Sequence, residues 1–395
     1  MTHTPIHTDM ENDIFADIRP YDDRQFKEKL TELVREPGFE HAVRYVMPDV
    51  DYDGFVKNLL AVETQNEFQV KAVGAFLELL VAKTTHGLSM DGLENYNPAV
   101  SHVFITNHRD IVLDASFLNL GFIRAGLPIT QIAIGNNLLI YDWITDLVKL
   151  NRSFIVKRDV RVREALEAAR HLSGYIRQTI TERHESVWIA QREGRAKDSN
   201  DLTQESVVKM LSLGDDDERA LENLLDLNIM PVSISYEYDP NDYLKASEFL
   251  RKRRDPEYKK SKRDDLFSME TGILKQKGRV HFHLGGSVNP AIEPLKDAPR
   301  SEIAKKVCEV IDRSIHCGYH IYPCNYIAYD EFFGTLKPGI NYTQDDIDNF
   351  NAYLEGQLDK VEDKDVTPEE RAFMRRTMIE MYANPLKNQL AAKNC

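Results

Sequence analysis

A histidine and two aspartates follow a short apolar run in the first third of the chain. The apolar residues 103–105 end at a polar stretch that contains His108 and Asp110, and Asp114 comes four residues later. A neutral imidazole accepts a proton from a hydroxyl group when a carboxylate holds its other ring nitrogen and fixes the tautomer. On spacing alone a structural histidine is the simpler interpretation, but these residue types can also provide a general base.

Either aspartate can be the partner of His108. Apolar residues at helical spacing predict a helix over 111–120, and helical side chains lean towards the N-terminus, so Asp114 can reach the histidine. Asp110 is nearer in sequence but is well placed to cap the same helix. We therefore predict Asp114 as the partner and keep Asp110 as the alternative.

Positively charged residues follow two further apolar runs. The run 186–190 is followed by Glu193-Gly194-Arg195 and then Lys197, and the run 153–156 is followed by Lys157 and Arg158. A glycine between charged residues lets the backbone approach an anion, and the planar fork of arginine can bind two phosphate oxygens. Each stretch alone is only a charged loop, but together they predict an anion-binding site.

Strand-like and helical patterns alternate from about residue 98. This alternation predicts an α/β fold with a mostly parallel mixed sheet covered by helices, in which the strand ends carry the chemistry. Helical regions flank it on both sides. The predicted strands cover 103–106, 129–134, 153–157, 186–190, 229–236 and 278–284. The predicted regions are a polar tail (1–22), an N-terminal helical region (23–97), the α/β domain (98–298) and a mainly helical C-terminal region (299–395).

Composition excludes several classes of protein. A net charge of -14 argues against general nucleic-acid binding, and no apolar run approaches the roughly 18 residues that span a membrane. The first 15 residues carry acids and no apolar core, unlike a secretory signal. We expect a cytoplasmic protein that contacts membranes only at their surface. Four cysteines without zinc-like pairing predict free thiols in a reducing compartment: Cys308, Cys317, Cys324 and Cys395.

A dense basic stretch lies between residues 251 and 263. It is either a solvated loop or a contact for anionic lipid headgroups or an acidic carrier protein, for which each basic residue adds about 1 kcal/mol. Leu138, Leu139, Ile140 and Trp143 can add apolar contact with a bilayer. Two histidine pairs, His281 with His283 and His316 with His320, lack a third ligand at diagnostic spacing, so we predict no metal site.

Four segments in order resemble one enzyme family. They are NHRDIVLD, FIVKR, QREGRAKD and IMPVSISYE. Together they are similar to the four blocks of the glycerol-3-phosphate and 1-acylglycerol-3-phosphate O-acyltransferases, over about residues 100–292. The segment AIGNNLLIYDWITDLVKLNRSFIVKR looks nearer the larger, glycerol-3-phosphate type. The family separates its histidine and aspartate by four residues, whereas five lie here between His108 and Asp114, and Arg192 replaces a proline before Glu193.

The resemblance implies an activity in phospholipid biosynthesis. His108, oriented by Asp114, takes a proton from an acceptor hydroxyl, which attacks the thioester of acyl-coenzyme A or acyl carrier protein. The acceptor is glycerol 3-phosphate, a lysophospholipid or a related polar lipid, and the transfer needs no metal and no bound cofactor. Glu193 hydrogen-bonds the polyol or braces Arg195. The residues implied to bind substrate are Arg109, Lys157, Arg158, Glu193, Gly194, Arg195 and Lys197.

Two other functions are compatible with the same residues. One is a non-catalytic protein that binds lipid or carrier on this scaffold, and the other is a hydrolase in which water replaces the acceptor. The products formed from an acyl thioester separate these possibilities.

Overall fold

The computed structural model describes residues 13–158, 160–214, 219–335, 339–363 and 365–393. Its seven strands form one sheet in the order β1-β7-β6-β2-β5-β3-β4. All neighbouring strands are parallel except β6 and β7. This confirms the predicted mostly parallel mixed sheet. The strands are β1 (Leu88–Asp91), β2 (Val103–Thr106), β3 (Gln131–Gly135), β4 (Ser153–Val156), β5 (Val187–Ala190), β6 (Met230–Tyr236) and β7 (Val280–Leu284).

Helices cover both faces of the sheet. Along β2, Val103 and Ile105 pack into one buried cluster while Phe104 packs into another, because neighbouring side chains in a strand point to opposite faces. The predicted double covering is therefore confirmed. The helices before the C-terminal region are α1 (Asp23–Leu33), α2 (Pro37–Val46), α3 (Tyr52–Leu60), α4 (Gln65–Glu67), α5 (Gly74–Thr84), α6 (Leu113–Arg124), α7 (Asp142–Leu150), α8 (Ala165–Thr181), α9 (Glu205–Leu211), α10 (Ala220–Asp226), α11 (Asp242–Arg254), α12 (Lys262–Leu274) and α13 (Asn289–Ile292).

The described part of the C-terminal region is mainly helical. Its helices are α14 (Arg300–Cys317), α15 (Pro323–Phe333), α16 (Gln344–Leu358) and α17 (Pro368–Lys393). The last three share a buried cluster with α11, so this region packs directly on the α/β domain. Thr343 and Thr367, which the sequence predicts as helix starts, each accept the N–H of the residue three positions on, which confirms them.

The N-terminal part departs from the sequence predictions in two places. Residues 1–12 of the predicted polar tail lie outside the described chain, but Phe15 and Ile18 are buried in the core, and Ile18 accepts the N–H of Ile155 beside β4. The second departure is β1, which lies in the region predicted as helical and joins the sheet beside β7. Its four residues are too few for their alternating exposure to stand out in the sequence.

Five strands, β2 to β6, run in the same direction, so their carboxyl ends lie along one edge of the sheet. We call it the carboxyl edge. The reversed strands β7 and β1 begin at this edge. Among the described helices, none is both long and apolar enough to cross a membrane. Cys308, Cys317 and Cys324 are free thiols, as predicted, and Cys395 lies outside the described residues.

Candidate active site

The loop between β2 and α6 wraps around one carboxylate. Asp114, the second residue of α6, is fully buried, and its Oδ2 lies 2.9 Å from Nδ1 of His108. The same oxygen accepts the backbone N–H groups of Arg109 at 2.6 Å and Asp110 at 3.0 Å. A carboxylate only accepts, so Nδ1 of His108 carries the proton and Nε2 is left as a proton acceptor.

The extra residue between His108 and Asp114 is absorbed before the helix. The sequence predicts a helix from residue 111, whereas α6 begins at Leu113, so the preceding residues form a turn. That later start lets Asp114 face the histidine despite the longer spacing.

Asp110 stabilises the start of α6. Its Oδ1 accepts the N–H groups of Val112 at 2.9 Å and Leu113 at 2.8 Å, which confirms the predicted capping role. Its Oδ2 accepts from the side-chain amide of Asn241 at 3.3 Å. Burial raises the pKa of Asp110, and the charge of Asp114 raises it further. The carboxylate that contacts His108 is therefore that of Asp114.

Neighbouring strands fix the position of His108. The side chain of Asn107 donates to the carbonyl of Ile234 at 2.9 Å and accepts its N–H at 2.8 Å, which ties the end of β2 to β6. On the other side, the ring of Trp188 from β5 lies edge-on to the imidazole at 5.9 Å. The His108 side chain is 11% exposed, and no described residue hydrogen-bonds its Nε2. That nitrogen is the one available for chemistry.

Arg109 is paired with a carboxylate inside the protein. Its guanidinium is buried and forms two bonds with Asp201, at 2.9 Å and 2.6 Å. Tyr319 donates to the same carboxylate at 2.5 Å. Burial alone lowers the pKa of Arg109, but Asp201 outweighs it and the net pKa lies above the ordinary value. The structure therefore holds this cation inside the protein, and its predicted contact with substrate stays a prediction.

The two predicted lysines also have carboxylate partners. Lys157 lies 2.6 Å from Asp17 at the surface. Lys197 forms an ion pair with Glu248, and although that partner opposes the effect, burial lowers the pKa of Lys197. Neither ammonium group is free to meet an incoming anion without losing this partner.

Arg158 and Glu193 face each other across two strand ends. The guanidinium of Arg158 lies 3.8 Å from the exposed carboxylate of Glu193, and its backbone N–H donates to Asn136 at 2.9 Å. Gly194 has a left-handed backbone with φ of 67°, which glycine adopts without strain. Glu193 therefore contacts Arg158, whereas the sequence predicts that it braces Arg195 or binds the polyol.

Arg195 has an unsatisfied donor. Its side chain is half-buried, and its Nη1 is buried without a hydrogen-bond partner among the described residues. Its charge is near enough to oppose the rise in the pKa of Asp110 in the His108 loop. A buried unpaired guanidinium nitrogen is costly unless an acceptor binds it. Unlike the other four predicted cations, Arg195 has no carboxylate partner among the described ion pairs.

Two other predicted clusters have internal partners. The histidines of the strand β7, His281 and His283, both contact Asp91 of β1, at 3.3 Å and 2.6 Å. Within the described chain no group of three histidine, cysteine or acidic side chains is arranged to hold a metal. In the basic stretch, five residues are paired with acids: Arg251, Lys252, Arg253, Arg254 and Lys260.

Sequence reasoning missed two buried polar residues beside the loop. Asp201 holds Arg109 from 92 positions away, and nothing in its local sequence marks it as an ion-pair partner. Tyr236 ends β6 with a buried hydroxyl, and an interaction of this hydroxyl with the side chain of Asp114 contributes to its pKa. Burial and the charges of Asp114 and Asp110 raise the pKa of Tyr236 well above its ordinary value. The sequence feature that could have marked Tyr236 as a site residue is its position at the carboxyl end of a predicted strand.

The fold and site define an α/β protein with a buried histidine–aspartate pair at the carboxyl edge of its sheet. The chain matches no protein-family model and no curated protein. Among solved structures it is similar to the 1-acyl-sn-glycerophosphate (LPA) acyltransferase PlsC from Thermotoga maritima, with 16% identity and a TM-score of 0.38. The match covers 74% of this chain and 96% of that one. A TM-score this low transfers neither fold nor activity to this protein.

Proposed function

We propose that this protein transfers an acyl group from a thioester to the hydroxyl of a phosphate-bearing or other polar-lipid acceptor. The observation that carries the proposal is the hydrogen bond from His108 to Asp114, which leaves Nε2 without a partner among the described residues. Arg195, whose Nη1 also has no described partner, lies near enough for its charge to act on Asp110 of the same loop. A base and an anion-binding group are the two parts that such a transfer needs. The order of the four sequence blocks supports the same function.

The reaction follows from the position of Nε2. Nε2 of His108 takes the proton of the acceptor hydroxyl, and the oxygen attacks the thioester carbon to give a tetrahedral intermediate. The carbon–sulfur bond then breaks, and His108 returns the proton to the leaving thiolate. Asp114 stabilises the imidazolium that exists between these two steps. The products are an ester and a free thiol.

Arg195 binds the acceptor's phosphate in this proposal. Its planar guanidinium can donate two parallel bonds to phosphate oxygens. Arg158 is the second cation, because its carboxylate partner among the described residues is 3.8 Å away and exposed. Lys157 and Lys197, which have closer partners, contribute less.

The direct test is product analysis with the purified protein. Acyl-coenzyme A and acyl carrier protein loaded with a fatty acyl group are offered as donors, each with glycerol 3-phosphate, lysophosphatidate or an unphosphorylated monoacylglycerol as acceptor. We expect an acylated acceptor and free thiol in equal amounts. Free fatty acid alone would identify a hydrolase. No thiol release with any pair would contradict catalysis and favour a binding protein.

Arg195→Met is expected to raise the KM for phosphorylated acceptors by about 10- to 100-fold, since a hydrogen bond to a charged group contributes about 1.5–3 kcal/mol. The KM for an unphosphorylated acceptor should change little. Lys157→Met is the matched control, because that cation is already paired with Asp17. Equal losses for both kinds of acceptor would rule out phosphate recognition by Arg195.

A further inference from the structure

One peptide group in the His108 loop is held from both ends. The N–H of Asp110 donates to Asp114 Oδ2 at 3.0 Å, and the carbonyl of Arg109 accepts from Lys245 Nζ at 3.2 Å. These two atoms belong to the same planar peptide unit. The ammonium of Lys245, on α11, therefore lies at one end of a peptide whose other end holds the partner of His108.

Lys245 is itself fixed in place. It is buried and forms an ion pair with Asp239, whose carboxylate also accepts the N–H of Asn241 at 2.9 Å. Burial lowers the pKa of Lys245 below its ordinary value, and the carboxylate of Asp239 opposes that shift. The ammonium of Lys245 has few alternative positions, because moving away from Asp239 would leave two buried charges unpaired.

The support continues into the C-terminal region. The backbone N–H of Asp239 donates to the hydroxyl of Tyr382 at 3.0 Å, and that hydroxyl donates to Asp242 at 2.8 Å. Tyr382 lies on α17, and Tyr353 of α16 donates to the same carboxylate at 2.7 Å. A chain of hydrogen bonds thus runs from the last helices of the protein to the loop that carries His108.

We propose that Lys245 is a positioning residue for His108 and Asp114, acting through the Arg109–Asp110 peptide. The cation on the carbonyl fixes the plane of the peptide and polarises it, which strengthens the N–H bond to Asp114. Without this donor the peptide can rotate and withdraw its N–H from the carboxylate. Asp114 then holds the imidazole less firmly. The kinetic consequence rests on the proposed acyl transfer, but the orientation of the imidazole does not.

A buried lysine elsewhere provides the matched control. Lys149 of α7 is also buried, and burial lowers its pKa too. Its Nζ donates to the carbonyl of Ala16 at 3.4 Å and lies 5.4 Å from the ring centre of Tyr21, far in sequence from the His108 loop. It lies just before β4 begins, at the edge of the sheet opposite His108. Lys149→Met therefore reports the cost of removing a buried ammonium without disturbing the loop.

The test variant combines Lys245→Met with Asp239→Asn, since removing one partner alone leaves a buried unpaired charge. We expect kcat to fall about 10- to 100-fold, as for other supporting residues of active sites, with little change in the KM for the thioester. Lys149→Met should change neither, at equal folded fraction by circular dichroism.

A second readout does not depend on acyl transfer. The Nδ1 proton that His108 shares with Asp114 should give a downfield proton resonance that is absent from His108→Ala. We expect this resonance to broaden or vanish in the test variant and to persist in Lys149→Met. If the wild type transfers no acyl group, the proposed function fails, but the resonance still tests the positioning role.

An unchanged resonance together with unchanged kcat, in a folded test variant, would overturn the proposal. Should Lys245→Met with Asp239→Asn not fold, Lys245→Met with Asp239→Leu replaces the pair by apolar side chains, a change that often leaves stability unchanged or higher. The same two readouts and the same expected directions apply to that variant.

Discussion

His108→Ala is expected to lower kcat for acyl transfer by about 10²- to 10⁴-fold, the usual contribution of a positioned general base. The substitution removes the nitrogen that takes the acceptor's proton but leaves Arg195 in place. The KM for a phosphorylated acceptor should therefore change much less than kcat. Initial rates of thiol release at varied acceptor concentration provide both constants.

His171→Ala is the matched control for this change. His171 lies 3.0 Å from Asp17, so it is a second histidine–aspartate pair, but it is located on α8 and is more exposed than His108. It should retain full activity. A His108→Ala protein that kept wild-type kcat would exclude a general base at this position and leave the hydrogen bond to Asp114 as a structural contact.

Arg109→Met is expected to destabilise the folded protein by about 3–5 kcal/mol, because it leaves Asp201 as a buried charge without its cation. Tyr319 still donates to that carboxylate, which limits the cost. The measurement is the midpoint of chemical unfolding. Burial already raises the pKa of Asp201 and Arg109 opposes this rise, so removing the arginine should raise the pKa further.

The pH dependence of this loss has a definite sign. A carboxyl group whose pKa is higher in the folded state than in the unfolded state destabilises the fold when it is ionised. The penalty in Arg109→Met should therefore shrink as the pH falls and Asp201 takes up a proton. Arg124→Met is the surface control. Arg124 pairs with Glu78 at the protein surface, and this pair should contribute less than about 1 kcal/mol to the free energy of unfolding. Similar losses of unfolding free energy in both variants would contradict the larger contribution expected of the buried Arg109–Asp201 pair.

Local patterns were sufficient for six of the seven described strands and for one end of α6. The apolar run that predicts β2 matches its observed bounds, because a buried central strand needs continuous apolar residues on both faces. The capping role of Asp110 could be predicted because it involves only its own neighbours in sequence. The helix starts at Thr343 and Thr367 are local in the same way.

Interactions between distant segments could not be read from the sequence. Arg109 and Lys197 look like free cations in their own loops, and only the folded chain brings Asp201 and Glu248 to them. The sequence therefore identifies which residues can bind an anion but not which ones are already paired. The burial of Phe15 and Ile18 was missed for a related reason. Two apolar residues in a polar segment are too few to show the periodic spacing that predicts a helix or a strand.

The edge strand β1 has a consequence for how the protein is made. Among the described strands β1 pairs only with β7. Leu88 therefore has no strand partner until Val280 has been synthesised and has folded beside it. The ribosome synthesises the chain from the N-terminus, so β1 emerges long before β7. Contacts between segments so far apart in sequence also form slowly during folding. The same delay applies to the His108 loop, which needs Ile234 and Lys245 for its fixed position. A nascent chain therefore carries His108 and Asp114 long before it can hold them in their final geometry.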